Sequence, residues 1–353
     1  MPTTVAHEKN LLGLTRSELE HVAVGCGQSR FRGRQIYQGL YARREQDWTG
    51  FTDLDAKFRE YLAAHYSIRH PRIDREILSR DGSIRYLLTL EDGEQVEAVY
   101  MPEENRTTFC ISSQVGCAVD CRFCFTGILG AKRNLTAGEI VGQVLALAVA
   151  QHIPRRARLN VVFMGMGEPL LNYAPVMKAV EILADSAGAA LALRHITVST
   201  SGIIPRIYDM AREKFRPRLA VSLNASTDEQ RTALMPINRK YPLRDLLRAC
   251  REYPLRPRER LTFEYVLLGG LNDSDADAAR VAELVRGISA KINLIPYNSG
   301  PELPYRSPPL ERVLAFQQTL ADRHVPAFIR VSRGQDIMGA CGQLMLEGAV
   351  KDC

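Results

Sequence analysis

The sequence predicts an α/β fold, a partial barrel of parallel strands preceded by a smaller helical region. Three observations predict it. From Thr108 onward, short β-rich runs alternate with helical stretches, and repeated strand–helix units imply a parallel sheet. Six or so such units without an internal sequence repeat suit a barrel that stops short of closure. The glycine-, serine- and cysteine-rich motifs each follow a strand run, at the end where barrel loops converge on one mouth.

Residues 10 to about 65 read as helical: Leu11, Leu12, Leu14 and Leu19 open an apolar pattern, and Thr15-Arg-Ser-Glu18 fits a capping box. Between 71 and 101, Ile84-Arg-Tyr-Leu-Leu-Thr-Leu90 and Val96-Glu-Ala-Val-Tyr100 flank Glu91-Asp-Gly-Glu94, the signature of a hairpin. The barrel strands are predicted at Phe109–Ser113, Leu159–Phe163, His195–Thr200, Arg218–Leu223, Leu261–Leu267, Lys291–Pro296 and Ala327–Val331. Helices fill the intervals. Thr136-Ala-Gly-Glu139 caps the first, and Pro308-Pro309 suits the start of the last.

A chain of 353 residues with 46% hydrophobic content can bury a large core. Its net charge of +6 says little, but its distribution says more. Eight basic residues fall between Arg239 and Arg260 against three acidic ones, and shorter clusters occur at Arg30-Phe-Arg-Gly-Arg34 and at Arg155, Arg156 and Arg158. Each alone reads as a solvated helix face. The first residues lack the apolar run of a signal peptide, and no stretch is long and apolar enough for a membrane span. Eight cysteines in a chain this long are no secreted disulfide framework, and the expectation is a reducing cytoplasm.

The most informative feature is Cys117-Ala-Val-Asp-Cys121-Arg-Phe-Cys124. Three thiolates this close can ligate three irons of a four-iron cluster and leave the fourth open. A structural zinc site wants four ligands, yet the next His is His152 and the next Cys is Cys250. Of the other cysteines, Cys26, Cys250 and Cys353 read as small buried hydrophobes. Cys341 differs, because its glycine-rich surroundings, Gly334-Gln-Asp-Ile-Met-Gly-Ala-Cys-Gly-Gln343, suggest a mobile loop that brings a thiolate to a ligand.

Taken with Cys110-Ile-Ser-Ser-Gln-Val-Gly-Cys117, Arg133-Asn-Leu-Thr, Gly165-Met-Gly-Glu-Pro-Leu-Leu-Asn172, Ser199-Thr-Ser-Gly202 and Ala340-Cys-Gly-Gln343, the triplet resembles the RlmN/Cfr family of radical S-adenosylmethionine RNA adenosine methyltransferases, and its RlmN branch more closely. The resemblance runs from Phe31-Arg-Gly-Arg-Gln-Ile-Tyr37 to Gly342. It implies a (β/α)6 TIM-like partial barrel at 106–332, a helical RNA-binding accessory domain at 1–68, a β-hairpin region at 69–105 and a C-terminal loop at 333–353. It also implies one 4Fe-4S cluster on Cys117, Cys121 and Cys124. S-adenosyl-L-methionine would chelate the open iron and meet Gly167, Glu168, Ser199, Ser222, Leu223, Asn224 and Asn298. Asn224 stands where some members have His.

The resemblance implies two AdoMet per turnover. One methylates the Cys341 thiolate. The second is cleaved at the cluster to a 5′-deoxyadenosyl radical, which takes a hydrogen from the S-methyl group. The methylene radical adds to adenine, and Cys110 attacks the Cys341 sulfur, releasing product and leaving a disulfide. Glu97, otherwise a solvent-facing strand residue, matches the proposed proton acceptor. The implied target is carbon 2 of an adenosine in 23S rRNA near the peptidyl-transferase region, with a tRNA adenosine next to the anticodon as a second target. The implied electron donor is flavodoxin or ferredoxin. Two other readings stand beside this one: methylation at carbon 8, and a non-catalytic iron–sulfur RNA-binding protein. Ser-Gln-Val-Gly-Cys117, with no extra Cys before Gly116, leans towards carbon 2.

Overall fold

A computed structural model describes residues 9–155, 157–300 and 303–345. Arg156 and Cys353, singled out above, lie outside the described residues. Along the chain come β1 (Lys9–Asn10), α1 (Arg16–Gly25), α2 (Arg30–Tyr37), α3 (Ala56–His65) and β2 (Tyr66–Ser67). Next are β3 (Arg72–Leu78), β4 (Ile84–Thr89), β5 (Gln95–Glu103), β6 (Arg106–Cys110), β7 (Gln114–Gly116), α4 (Phe125–Ile128) and β8 (Ala131–Asn134). Then follow α5 (Ala137–Ala150), β9 (Leu159–Phe163), α6 (Tyr173–Ala184), β10 (Ile196–Thr200), α7 (Ile204–Ala211), β11 (Arg218–Ser222), α8 (Asp228–Leu234) and α9 (Leu243–Glu252). The chain continues through β12 (Leu261–Leu267), α10 (Asp275–Leu284), β13 (Ala290–Pro296), α11 (Leu310–Asp322) and β14 (Ala327–Ile329).

Both expected capping boxes form, Thr15 with Glu18 and Thr136 with Glu139, each satisfying helix N-terminal amides that lack intrahelical partners. Ten strands make one sheet, in the order β14-β13-β12-β11-β10-β9-β6-β5-β4-β3. From β6 to β14 every pairing is parallel, and helices cross between successive strands. β14 and β3 are the sheet's two edges, so the barrel is partial.

β9 and β12 have the predicted bounds. β6 stops at Cys110, short of the predicted Ser113, because Ser112 leaves the sheet to exchange two hydrogen bonds with Gln143 of α5, at 2.8 and 2.9 Å. The predicted hairpin is β4–β5, closed where Leu90 N–H donates to the Glu94 carbonyl and Gly93 takes φ +85°. A third strand, β3, extends it into an antiparallel meander joined to the barrel sheet through β6. Its run Arg-Ile-Asp-Arg-Glu-Ile-Leu carries charges on both faces, as an edge strand can.

The N-terminal helices pack over α5 and α6. Gly13 N–H donates to Tyr41 Oη, which donates to the Leu14 carbonyl, and Lys178 on α6 pairs with Glu18. α5 is consequently buried almost all round. No helix among the described residues is long and apolar enough to cross a membrane.

Gly13 has φ +92°, and a Cβ there would sit 2.3 Å from the Gly138 amide nitrogen of α5. Gly13→Ala is expected to destabilise the protein by about 3 kcal/mol, the sum of left-handed strain and overpacking, measured by chemical denaturation. An unchanged midpoint would show that the helical layer does not need this contact.

Candidate active site

The strand register decides which side chains face the barrel interior, since directly paired residues share a face. Ser222 pairs with Glu264 and Glu264 with Asn293; Cys110 pairs with Val162 and Val162 with Thr197. An open cavity of about 940 Å³ lies over this interior at the strands' C-terminal ends. Cys117, Cys121, Cys124, Gly167, Glu168, Ser199, Ser222, Asn224 and Cys341 line it.

The cysteine loop is closed at its base by the β7–β8 ribbon, with Cys117 N–H donating to the Gly130 carbonyl at 2.9 Å. Inside it, Cys124 N–H donates to the Cys121 carbonyl and Arg122 N–H to the Leu234 carbonyl, fixing the loop against α8. The Gly-Glu-Pro loop is fastened to the same base. Glu168 N–H donates to Gln114 Oε1 at 2.8 Å, and Asn172 Nδ2 donates to the Ser113 and Leu135 carbonyls. Gly167 has φ +96°, and a Cβ there would meet Gln114 at 2.5 Å, so only glycine lets these loops approach.

Burial pushes the Cys117 thiol up to about 12, with Cys124 and Glu168 adding to the rise. Burial also holds the Cys121 thiol well above its ordinary value, Cys124 and Cys117 reinforce it, and Arg231 opposes it. Cys124 is raised by burial too. These are three half-buried thiols in mutual electrostatic range, with Arg231 alone offering positive charge, and that only to Cys121. Iron supplies such charge and deprotonates a coordinating thiol. Among the described residues no three His, Cys, Asp or Glu side chains gather tightly enough to hold a single metal ion. A four-iron cluster has no such need, because each thiolate takes a separate iron. The donor set therefore fits the cluster.

Glu168 is buried, and burial raises its carboxyl although Ser201, Thr200 and Leu170 oppose the shift through hydrogen bonds. Its oxygens accept from the Leu170 amide at 3.0 Å and the Ser201 amide at 2.7 Å, which holds the group rigidly at the cavity wall. Asn224 adopts φ +55°, accepts from Val266 N–H at 2.8 Å and reaches the cavity. Two expected contacts lie elsewhere. Leu223 is fully buried away from the lining, its N–H donating to the Glu264 carbonyl and its own carbonyl taken by Arg231. Asn298 frames the site from behind, its Nδ2 donating to the Cys341 carbonyl at 3.1 Å.

Cys110 lies on the interior face beneath the lining, and Cys341 is exposed on the cavity wall. Neither forms a disulfide. The two are near enough that Cys341 adds to the burial-driven rise of the Cys110 thiol. Desolvation at the cavity wall and Glu264 push the Cys341 thiol up to about 11, with Cys124 adding to the rise and Arg330 opposing it. Glu97 is a buried residue with its Oε1 2.7 Å from Arg85 Nη1, not a solvent-facing one, and it does not line the cavity. Its pairing with Leu87, beside the Arg85–Val99 and Val99–Cys110 pairs, sets it on the same face as Cys110.

Sequence reading missed Glu264 and Arg231. Glu264 is a buried carboxylate on the cavity wall, raised by burial and held by Asn293 Nδ2 at 2.9 Å. Arg231 is fully buried; burial lowers its guanidinium to about 10. It donates to the carbonyls of Ser201, Ser222 and Leu223 and to Asn238 Oδ1, so one cation ties the loops after β10 and β11 together beside Cys121. Nothing in Asp228-Glu-Gln-Arg-Thr-Ala-Leu234 signals this, whereas the alternation of Leu261–Leu267 could have put Glu264 on the interior face. The basic clusters are partly spent locally: Arg32 and Arg34 pair with Asp55 and Glu20, Arg248 with Asp245, and Arg256 with Glu259.

An open parallel barrel with three close cysteines and a glycine-lined loop at its mouth is the frame of a radical S-adenosylmethionine enzyme. Residues 111–282 match the Radical SAM superfamily, and residues 9–68 match the ribosomal RNA large subunit methyltransferase N-terminal domain. A probable dual-specificity RNA methyltransferase RlmN of Koribacter versatilis is 50% identical, covering 90% of this chain and 96% of its own. A dual-specificity RNA methyltransferase RlmN of an Anaeromyxobacter species is 48% identical over 97% of this chain and 92% of its own. The crystal structure of a radical SAM methyltransferase from Sphaerobacter thermophilus superposes with a TM-score of 0.91 at 45% identity, covering 95% of this chain and 99% of that one. The chain belongs to the RlmN family, radical SAM methyltransferases of RNA that use a 4Fe-4S cluster and S-adenosylmethionine.

Arg231→Met would leave three loop carbonyls and Asn238 without their donor and is expected to cost about 3–5 kcal/mol. Iron content after anaerobic reconstitution should fall in step. Full iron loading at unchanged stability would show that the cation is dispensable.

Proposed function

We propose that this enzyme methylates carbon 2 of an adenosine in 23S rRNA, and in tRNA as a second substrate, with Cys341 carrying the methyl group and Cys110 resolving the product. What supports this above all is the meeting of two thiols outside the triplet, one on the cavity wall and one on the interior face beneath it, within electrostatic range of each other.

Cys117, Cys121 and Cys124 would hold the cluster. Gly167, Glu168, Ser199, Ser222 and Asn224 would line the S-adenosylmethionine site, with Leu223 and Asn298 framing it. The bound groups supply a methyl group and the radical chemistry that carbon 2, an electron-poor sp2 centre, demands. Cys341 loses its thiol proton and takes the methyl group as a thioether. After carbon–carbon bond formation to the base, the Cys110 thiolate attacks the Cys341 sulfur; an S–S bond forms as the S–C bond to the RNA breaks, its electron pair passing to the methylene carbon and the base, which takes up a proton to become the methyl product. Glu97 is the proposed acceptor of the carbon 2 proton, with Arg85 as its counter-ion. Flavodoxin or ferredoxin in a reducing cytoplasm is the proposed electron source. A target base within a stem must be splayed out to reach the mouth.

Anaerobic incubation of reconstituted enzyme with labelled S-adenosylmethionine and rRNA or tRNA fragments should yield 2-methyladenosine on nucleoside mass spectrometry. Only 8-methyladenosine would overturn the position but keep the cysteine chemistry. Cys341→Ala is expected to abolish methylation, and Cys110→Ala to trap a covalent protein–RNA adduct.

With the Cys341 thiol pushed up to about 11, the thiolate is a minor species at neutral pH. RNA-independent S-methylation of Cys341 should therefore accelerate about tenfold per unit between about pH 7 and pH 9, followed by intact mass. A plateau in that window would mean the thiol ionises far more easily.

A further inference from the structure

The Cys341 loop is fastened at both ends. Downstream it is tied to the cysteine loop and its neighbour: Phe125 N–H donates to the Gly342 carbonyl at 2.8 Å, Thr126 Oγ1 to the Leu344 carbonyl at 2.7 Å and Gln343 Nε2 to the Ser299 carbonyl at 3.1 Å. Upstream, the chain leaves β14 at one sheet edge and reaches the β3–β4 turn at the other. There Arg333 Nη2 donates to the carbonyls of Pro102 at 2.6 Å and Asp81 at 3.1 Å, with its Nε 3.4 Å from the Asp81 carboxylate. Gly334 N–H donates to Asp81 Oδ2 at 2.9 Å. Asp336 accepts from Ser79 Oγ at 2.5 Å and from Arg80 N–H at 3.1 Å.

The turn that receives these bonds is itself ordered. Asp81 accepts from Ser83 N–H, and Ser79 N–H donates to the Ser83 carbonyl, both at 2.8 Å. Between the two anchors the path is specific, because Gly334, Met338 and Gly342 all take positive φ. With Arg333–Asp336 fixed, the stretch from Ile337 to Cys341 is held in turn by Gly339 N–H donating to the Gly334 carbonyl and Asn298 Nδ2 donating to the Cys341 carbonyl, so the thiol samples little space beyond the cavity wall.

We propose that this clasp across the open side of the barrel is the positioning device for Cys341, and that Asp81 and Asp336 are its positioning residues. It rests on the reading of Cys341 as methyl carrier. Asp81 accepts from Gly334 N–H and pairs with Arg333, and Asp336 accepts from Ser79 Oγ and Arg80 N–H; these charge-assisted contacts hold the loop against the turn, and the thiol is thereby held above Cys110. The same bonds make the β3–β4 turn part of the active-site wall, although no residue of the turn lines the cavity.

The test uses cluster-loaded enzyme with Asp336→Ala, Asp81→Ala and the milder Asp336→Asn. Iodoacetamide alkylation of Cys341, followed by peptide mass spectrometry without S-adenosylmethionine, should quicken severalfold in both alanine variants. Single-turnover RNA methylation should slow by about tenfold, the loss of roughly one charge-assisted hydrogen bond, while iron content and S-adenosylmethionine affinity hold. Asp336→Asn, keeping one acceptor oxygen, should fall between. Wild-type alkylation and methylation rates would overturn the proposal. So would loss of iron in parallel with methylation in all three variants, since the turn would then be a stability element only. If wild-type Cys341 were never S-methylated, the methyl-carrier reading would fail while the alkylation rates still reported on the clasp.

Discussion

Three thiols crowded onto one wall of the barrel mouth are the constraint on which the rest of this structure depends. Burial pushes each of them away from the thiolate that iron needs, and their proximity adds to this at Cys117 and Cys121. The surroundings are arranged to offset that cost without filling the cavity. Backbone amides of Thr126 and Gly127 oppose the rise at Cys124, and Arg231 opposes it at Cys121. Arg231 in turn is buried at its own expense, and its guanidinium is satisfied by carbonyls of the loops that shape the opposite wall. One buried cation thus serves the cysteine loop and the neighbouring βα loops together, which couples metal loading to the geometry of the cofactor pocket.

The second layer of organisation is the stapling of the loops to one another. Gln114 holds Glu168, Asn172 holds Ser113 and Leu135, and Asn298 and Phe125 hold the Cys341 loop from two sides. Polar side chains buried among these loops are satisfied chiefly by loop backbone, which ties the loops of the mouth to one another. Gly334 and Gly342 permit the left-handed turns by which the Cys341 loop meets its anchors.

Much of this was legible in the sequence because the signals were local. The strand runs, both capping boxes, the β4–β5 turn and the cysteine triplet are each written in a few adjacent residues. What escaped depends on contacts distant in the chain. Arg231 looks like a surface helix residue until α8 folds under the loops; Glu97 looks solvent-facing until β3 and β4 extend the sheet and Arg85 meets it. β3 itself was hidden because its charges erase the alternation that marks a half-buried strand. The Leu223 carbonyl and the Asn298 amide help build the wall through their partners, Arg231 and the Cys341 carbonyl.

The burial of α5 has a consequence for how the chain can be divided. Its apolar surface faces the barrel on one side and the N-terminal layer on the other, where Leu12 and Pro71 close over Gly142. A chain trimmed to its catalytic half would present that second side to water as a continuous greasy stripe, inviting self-association. The same helix carries Gln143, whose amide grips Ser112 two residues beyond Cys110. The N-terminal helices are therefore part of the scaffold that sets Cys110, and a graft of this barrel onto another recognition module would have to bring them along.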